Sequence, residues 1–422
     1  MNKTRLFKKT LLAATVALSA QQAMAAGFQL NAQSATGLGR AFAGDAVIAD
    51  NASVMARNPA AMALFDKMSL SLGFESITTL IDVKDATYST ALGSSTAVDD
   101  YDDVGGTSVA PNIHLIVPVN DKFAWGVTAY SNFGTKTEFS DSYTATEYGG
   151  LTDVKSFNFG LAGSYRANEH LSIGFGLDAI YGQGSLKRSP SATISTLTGL
   201  SGDLINVNDA DGWGFGFNVG AVYELDANNR FGLSYRHSPD FEAKDDDGQK
   251  ITLPLPDIAE FSGFHKIDNT QFAVHYSIQW IGWSDFNQID FDDLNSSKSA
   301  LAALGTSYDK QYQWQDGWHY AIGGTYYLNS DWTLRAGYMY DTSAQDSVKS
   351  ISVPDSDRQW LSAGFTYNIN AVSNVDFGFT YLIGKDVDVE ESTTISGTEL
   401  SSVTATTHAD AILVGLQYSR TF

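Results

Sequence analysis

Few residues in this chain are placed for covalent chemistry. The 422 residues include no cysteine, which removes disulfides, thiolate metal sites and cysteine nucleophiles together. The seven histidines, His114, His170, His237, His265, His275, His319 and His408, are scattered, and no two are spaced His-x-x-x-His, as a pair sharing a metal on one helix face would be. No Gly-x-Ser-x-Gly is present for a hydrolase nucleophile. Gly37-x-Gly39 has Phe42 where a dinucleotide loop needs its third glycine. Asp245-Asp246-Asp247-Gly248 and Asp290-Phe291-Asp292-Asp293 are dense enough in carboxylate for calcium, although such runs more often serve as solvated loop charge. No cofactor motif stands out. The remaining chemistry is binding. Lys187-Arg188 and Lys310 are cations in an acidic chain, and by themselves they read as solvated loop-base cations.

The elements that would carry these groups follow from charge and periodicity. Lys and Arg number 26 against 48 Asp and Glu, a net charge of -22, so phosphate-rich nucleic acid is a poor partner. Residues 1–25 have the parts of a secretory signal in order. Lys3, Arg5, Lys8 and Lys9 precede a short apolar run from Leu11 to Leu18, and Ala23-Met24-Ala25 closes it with a small-x-small cleavage pattern. That run is too short to span a bilayer, and no later segment has 18 consecutive apolar residues.

From about Met68 the chain reads at period two. Leu171, Ile173, Phe175, Leu177, Ala179 and Tyr181 share one face, with Ser172, Gly174, Gly176, Asp178 and Gly182 on the other. Trp213 to Leu225, Phe272 to Trp280 and Val375 to Ile383 repeat the pattern. Soluble sandwiches alternate too, so the connections decide. Six short Asn/Asp turns interleave with seven long polar connections, near 84–107, 140–152, 189–211, 244–257, 289–311, 342–356 and 387–404. That predicts about fourteen antiparallel strands in a transmembrane β-barrel, residues 67–422, with short turns on one rim and long loops on the other. Phe123, Trp125, Tyr165, Tyr223, Phe231, Tyr326, Trp332 and Tyr367 flank the short turns as an interfacial girdle would. The terminal Phe422 on an alternating strand suits recognition by the barrel-assembly machinery, and Arg420 is placed to snorkel to the headgroups.

Residues 26–66 do not alternate. Asp50-Asn51-Ala52-Ser53-Val54-Met55-Ala56-Arg57 reads as an N-capped short helix, and Asn58 caps a second with Pro59 at its first helical position. Phe28, Leu30, Leu38, Phe42, Met55, Met62 and Phe65 need burial. A small helical plug, or hatch, in the barrel lumen satisfies them, with lumen-facing glycines leaving the room.

Gly27-Phe28-Gln29-Leu30-Asn31, Gly37-Leu38-Gly39-Arg40-Ala41 and Arg57-Asn58-Pro59-Ala60 resemble the plug signature of the Gram-negative outer-membrane long-chain fatty acid transporters, the FadL family. The resemblance runs on in order through Pro111-Asn112-Ile113-His114, Ser131-Asn132-Phe133-Gly134, Trp213-Gly214-Phe215-Gly216, Pro354-Asp355-Ser356-Asp357-Arg358 and Trp360-Leu361-Ser362-Ala363-Gly364. It implies passive uptake of a long-chain fatty acid through a plugged barrel. Arg188 and Lys310 would meet the carboxylate, and Phe28 would touch the ligand. Asn58, Pro59 and Ala60 would form the gate. A side window would open at a kink in the third strand, at Asn132, Phe133 and Gly134. By strand parity Arg188 does continue the lumen face begun at Ser172. The expected surroundings are outer-membrane lipid and lipopolysaccharide, the latter bridged to the acidic loops by divalent ions, around a monomer. The nearest alternative is an importer of monoaromatic hydrocarbons such as toluene, which needs no cation at the site. A lipid-hydrolysing enzyme is the more distant one.

Overall fold

The computed structural model describes residues 27–102, 104–395 and 398–422. The signal segment expected over residues 1–25 lies outside them.

Fourteen long antiparallel strands close into one barrel. They are β1 (Ser69–Thr90), β2 (Thr107–Pro118), β3 (Phe123–Glu138), β4 (Leu151–Arg166), β5 (Leu171–Arg188), β6 (Ile205–Glu224) and β7 (Asn229–His237). The second half comprises β8 (Ile258–Lys266), β9 (Phe272–Ile281), β10 (Gly317–Tyr327), β11 (Trp332–Asp341), β12 (Arg358–Asn370), β13 (Ser373–Ile383) and β14 (Thr398–Thr421). Each strand pairs with its neighbour in sequence. β14 returns to β1 from Ser69↔Thr421 to Thr90↔Ser401, so no edge is left open.

The alternation sets the two faces. Phe175, Leu177, Trp213, Phe215, Val274 and Ile278 point outward and are exposed by the protein itself, as a lipid-facing band must be. Asn158, Asp178, Asn218, Glu260, Ser262, His275 and Gln279 point inward and are buried. A polar inner face buried this completely has something packed against it. The short turns share one chemical device. Asn120, Asn168, Asp226 and Asn329 each accept two backbone N–H groups two and three residues ahead, which fixes a tight reversal.

The long connections carry more structure than their polar composition suggests. Among the described residues they add short strands at Ser95–Ala97, Asp240–Lys244, Lys250–Pro254, Gln288–Asp292, Tyr308–Gln311 and Val387–Ile395. Four of these pair in the order 240–244, 250–254, 288–292, 308–311, forming a small sheet on the loop rim. The acidic runs lie in it and are met by lysines: Asp247 by Lys298 at 3.2 Å and Asp293 by Lys250 at 3.2 Å. Among the described residues no group of three or more metal-ligating side chains converges.

The segment from Gly27 to Phe65 fills the lumen. It contains one α-helical turn, α1 (Ala35–Leu38), and two 3-10 helices, Ala52–Ala56 and Pro59–Leu64. The caps are as the sequence indicates. Asn51 accepts from Ser53 N–H and Asn58 from Ala60 N–H, while Pro59 takes the first helical position, where a missing N–H costs nothing. The tighter 3-10 winding suits pieces of five and six residues, too short for α-helix propagation.

Candidate functional site

The hatch meets the barrel along two seams of opposite chemistry. From mid-wall down to the short-turn rim the seam is polar. Arg40 is buried and binds Asp45 at 2.6 Å and Asp50 at 3.1 Å. Arg335 of β11 reaches the same Asp50 carboxylate at 3.2 Å. Arg57 joins Asp45 at 3.3 Å to Glu260 of β8 at 3.4 Å. Two more arginines donate from the wall to hatch carbonyls: Arg236 to Ala56 at 2.6 Å and Arg166 to Ala63 at 2.8 Å. Buried charges are tolerated here because nearly every one has a counter-charge or a carbonyl within reach.

Asn58, Pro59 and Ala60 lie in this seam, all buried. The Asn58 amide donates to Ala46 O at 2.8 Å and to Ala221 O at 3.1 Å, so one side chain ties two parts of the hatch to β6. The loop presses on bare wall backbone. A Cβ on Gly174 would run into the Pro59–Ala60 peptide, and one on Gly220 would overlap the Asn58 carbonyl oxygen. These two lumen-facing glycines are the mould into which the loop fits.

At the loop rim the seam is apolar. Phe28 is 3% exposed and packs against Trp283 (ring centroids 4.5 Å), Phe286 (5.4 Å), Trp314 (5.7 Å) and Phe133 (6.1 Å). Gly27, at φ +64, makes the turn that seats it, and any side chain there would collide with the rings of Trp283 and Trp314. Beyond them Leu186, Ile205, Phe241, Leu253 and Phe291 continue one buried apolar cluster. The space between β5 and Phe241, Leu253 and Phe291 measures about 30 Å³, enough for one water and not for an alkyl chain. A ligand entering there must move side chains aside.

The two cations stand at the edge of this cluster. Arg188 ends β5 on the lumen face, 4% exposed, as parity requires. The register shift beside it falls on the partner strand, where Asn208 and Asp209 stand opposite the single Ser185, so β5 keeps its phase. Its guanidinium donates to Leu151 O at 2.7 Å, Lys187 O at 2.8 Å and Thr152 Oγ1 at 2.7 Å, and none of these is a carboxylate. Lys310 lies in the short strand Tyr308–Gln311, on the loop side of the membrane-spanning wall. Its ammonium is 5.4 Å from the Tyr312 ring centroid and 3.6 Å from Glu391. Burial pushes Lys310 below the usual lysine range, the Arg188 charge acts in the same direction, and Glu391 opposes both. Tyr308 and Glu391 act electrostatically on both cations, Arg188 acts on Lys310, and Tyr312 lies under the Lys310 ammonium while facing the Arg188 charge, so the structure brings Arg188 and Lys310 into one site. The Tyr312 hydroxyl is buried without a hydrogen-bond partner. Tyr312 packs on Phe286 at 5.1 Å and Trp314 at 5.9 Å, which links this site to Phe28.

Asn132, Phe133 and Gly134 form a β-bulge. β3 pairs with β4 at Ser131↔Phe157 and resumes at Gly134↔Lys155, leaving two residues opposite Ser156. The ladder between β2 and β3 runs from Pro118↔Ala124 to Asn112↔Tyr130, and its register ends there, one residue before the bulged stretch. At the bulge the hatch joins the strand. Leu30 N–H donates to Asn132 O and Gly134 N–H to Phe28 O, both at 2.8 Å, with Gln29 opposite Phe133. On the outer face, against the last pairs of that ladder, lies a concavity of about 610 Å³ lined by Ile113, Val127, Ala129, Leu161, Leu177 and Phe215.

The sequence did not single out Trp283, Phe286, Tyr312, Trp314 or Glu391. Glu391 fell in the polar connection expected near 387–404 and the other four flank the one near 289–311, and only Tyr312-x-Trp314 and the Val387, Val389, Glu391 parity offered a signal.

The model of the family described as outer membrane protein transport protein (OMPP1/FadL/TodX) matches residues 16–422. The chain is 35% identical to the "Long-chain fatty acid transport protein" of Salmonella typhi over 428 residues, covering 93% of this chain and 95% of that protein. It is also 35% identical to "Outer membrane protein P1" of Haemophilus influenzae over 467 residues, 99% of each chain. Among solved structures, a FadL homologue from Pseudomonas aeruginosa superposes with a TM-score of 0.80 at 19% identity, covering 94% of this chain and 99% of the other. The toluene transporter TodX of Pseudomonas putida gives 0.66 at 19% identity, covering 94% and 100%. At these identities the structural matches establish the fold.

Proposed function

Since this chain belongs to the OMPP1/FadL/TodX family of outer-membrane transport proteins, we propose that it carries long-chain fatty acids passively across the outer membrane of a Gram-negative bacterium, and that it does so without a catalytic step. The observation that carries this reading is the site that joins Arg188, Lys310 and Tyr312 to the aromatic cluster around Phe28. A fatty acid has two needs. Its tail gains roughly 0.8 kcal/mol per methylene removed from water, which an apolar cluster supplies. Its carboxylate needs charge-assisted donors once out of water, which two buried cations supply. A monoaromatic hydrocarbon would use the first feature and leave the second without purpose.

In this reading residues 1–25 are the export signal, 26–66 the hatch and 67–422 the barrel. The acid enters from the loop rim, and its tail displaces the rings around Phe28. Since Phe28 and Leu30 hold the β3 bulge by backbone bonds, moving Phe28 loosens the contact at Asn132, Phe133 and Gly134. Asn58, Pro59 and Ala60 yield afterwards, as the lower gate. The ligand leaves sideways beside the bulge, where the outer concavity offers an apolar landing and water at the short-turn rim does not. The barrel works as a monomer in outer-membrane lipid. Its acidic loops meet lipopolysaccharide through divalent ions, and the assembly machinery reads the strand ending at Phe422.

Labelled oleate uptake in cells lacking their own fatty acid transporter tests the function. Restored uptake, cut about tenfold or more by Arg188→Ala/Lys310→Ala at matched outer-membrane levels, is the expected result, the size being that of losing a buried charged hydrogen bond. Toluene uptake without oleate uptake would overturn it in favour of the hydrocarbon importer.

A further inference from the structure

We propose that Glu391 is a built-in carboxylate of the head-group site, holding Lys310 while the site is empty and competing with the carboxylate of the incoming ligand. The inference rests on the reading that Arg188 and Lys310 receive that carboxylate, and it adds the residue that sets how readily they do.

Glu391 lies in the short strand Val387–Ile395, which pairs with the loop-side part of β14 at Glu391↔Val403. Its parity is that of Val387 and the buried Val389, so its side chain turns inward. One carboxylate oxygen is 3.6 Å from the Lys310 ammonium, with side-chain exposures of 17% for the lysine and 11% for the glutamate. The other oxygen accepts the Ile351 N–H at 2.7 Å, which fixes the carboxylate between the β11–β12 connection and the cation.

Three features make this a competitor rather than a structural ion pair. At 3.6 Å the pair is looser than the roughly 2.7–2.9 Å of a charge-assisted hydrogen bond, so Lys310 is held but not saturated. Arg188 turns its two terminal nitrogens to two carbonyls and a hydroxyl and leaves its buried Nε without a partner, so two cations share one carboxylate and one positive charge remains for a ligand. Glu391 also acts electrostatically on Arg188 and Tyr312, which places its charge over the whole site. An incoming carboxylate therefore meets a like charge at the place where it must bind. A ligand without a charge does not.

Gln separates the two roles of Glu391. Glu391→Gln keeps an oxygen for the Ile351 N–H and removes only the charge. Binding of oleate and of methyl oleate would be measured on the full-length barrel in nanodiscs, for the wild type, Glu391→Gln, Lys310→Ala, Arg188→Ala and the Glu391→Gln/Lys310→Ala double variant. The expected result is oleate bound about threefold or more tighter by Glu391→Gln, in line with losing a partly buried ion pair. Methyl oleate would be unchanged, and the gain would vanish when Lys310 is also removed. Unchanged or weaker oleate binding by Glu391→Gln, with Lys310→Ala and Arg188→Ala both weakening it, would overturn the competitor role and leave the carboxylate site standing. A gain that persists without Lys310 would also overturn it. Oleate binding indifferent to both cations would remove the carboxylate site itself, and this inference with it.

Discussion

The two ends of the hatch are attached to the same barrel by different forces. From mid-wall down to the short-turn rim the contacts are arginines on carboxylates and carbonyls, and backbone laid on glycine. At the loop rim they are aromatic rings around Phe28 and two backbone bonds to the β3 bulge. An alkyl chain can replace ring contacts at little cost, because both are apolar burial. It cannot replace Asp50 between Arg40 and Arg335, because a buried charge without its partner is expensive. One end of the hatch is thus held by contacts that an apolar ligand could replace, and the other by contacts that it could not.

That contrast can be broken from either side. The largest effect is expected from Gly220→Leu or Gly174→Leu, which fill the space that Asn58, Pro59 and Ala60 occupy. The folded barrel should then carry an unseated hatch, read as an open conductance in planar bilayers and as sensitivity of cells to hydrophilic antibiotics. A barrel as tight as wild type would show that the glycines are not the mould. Next comes Asp50→Asn. Arg40 keeps Asp45, so losing the carboxylate it shares with Arg335 should cost about 1.5–3 kcal/mol, and trypsin should reach Arg40 and Arg57 faster in the purified barrel. Unaltered cleavage would mean that the polar seam is not the anchor. A smaller and opposite signature is expected of Phe28→Ala. Oleate binding should weaken by about tenfold or more, on the scale of a lost aromatic cluster contact, while the hatch stays seated and the conductance closed. Opening by Phe28→Ala would erase the distinction between the seams. The least effect belongs to Pro59→Ala, which frees the loop by roughly 0.4–1 kcal/mol through chain entropy. Uptake should fall while the amount of folded, heat-modifiable barrel is unchanged, and equal loss of both would argue against a gate there.

Much of this was legible in residue order. Period-two alternation with six tight turns and seven long connections gives strand number and closure, because an even set of strands with one apolar face leaves no other way to satisfy every backbone group in lipid. Asn51, Asn58 and Pro59 marked their helix starts because capping is local chemistry, although the helices wound as 3-10. Parity placed Arg188 inward, and it held because the one extra residue of the bulge at Asn208 and Asp209 fell on the neighbouring strand. The loop-rim sheet escaped because its strands are four or five residues long and rich in charge, too short for a period to show.

The sequence by itself therefore determined the barrel, its faces, the hatch and the inward direction of Arg188, since each depends on neighbours two to four residues apart. Only the tertiary structure decided that Arg188 and Lys310 share Tyr312 and Glu391, that Phe28 and Leu30 bind the β3 bulge, and that Gly174 and Gly220 receive the Asn58–Ala60 loop. Apart from the near neighbours Lys310 and Tyr312, those pairs stand about 80 to 200 residues apart in the chain. Closing a barrel around its own N-terminal segment brings them together, and no local pattern records a contact made across a lumen.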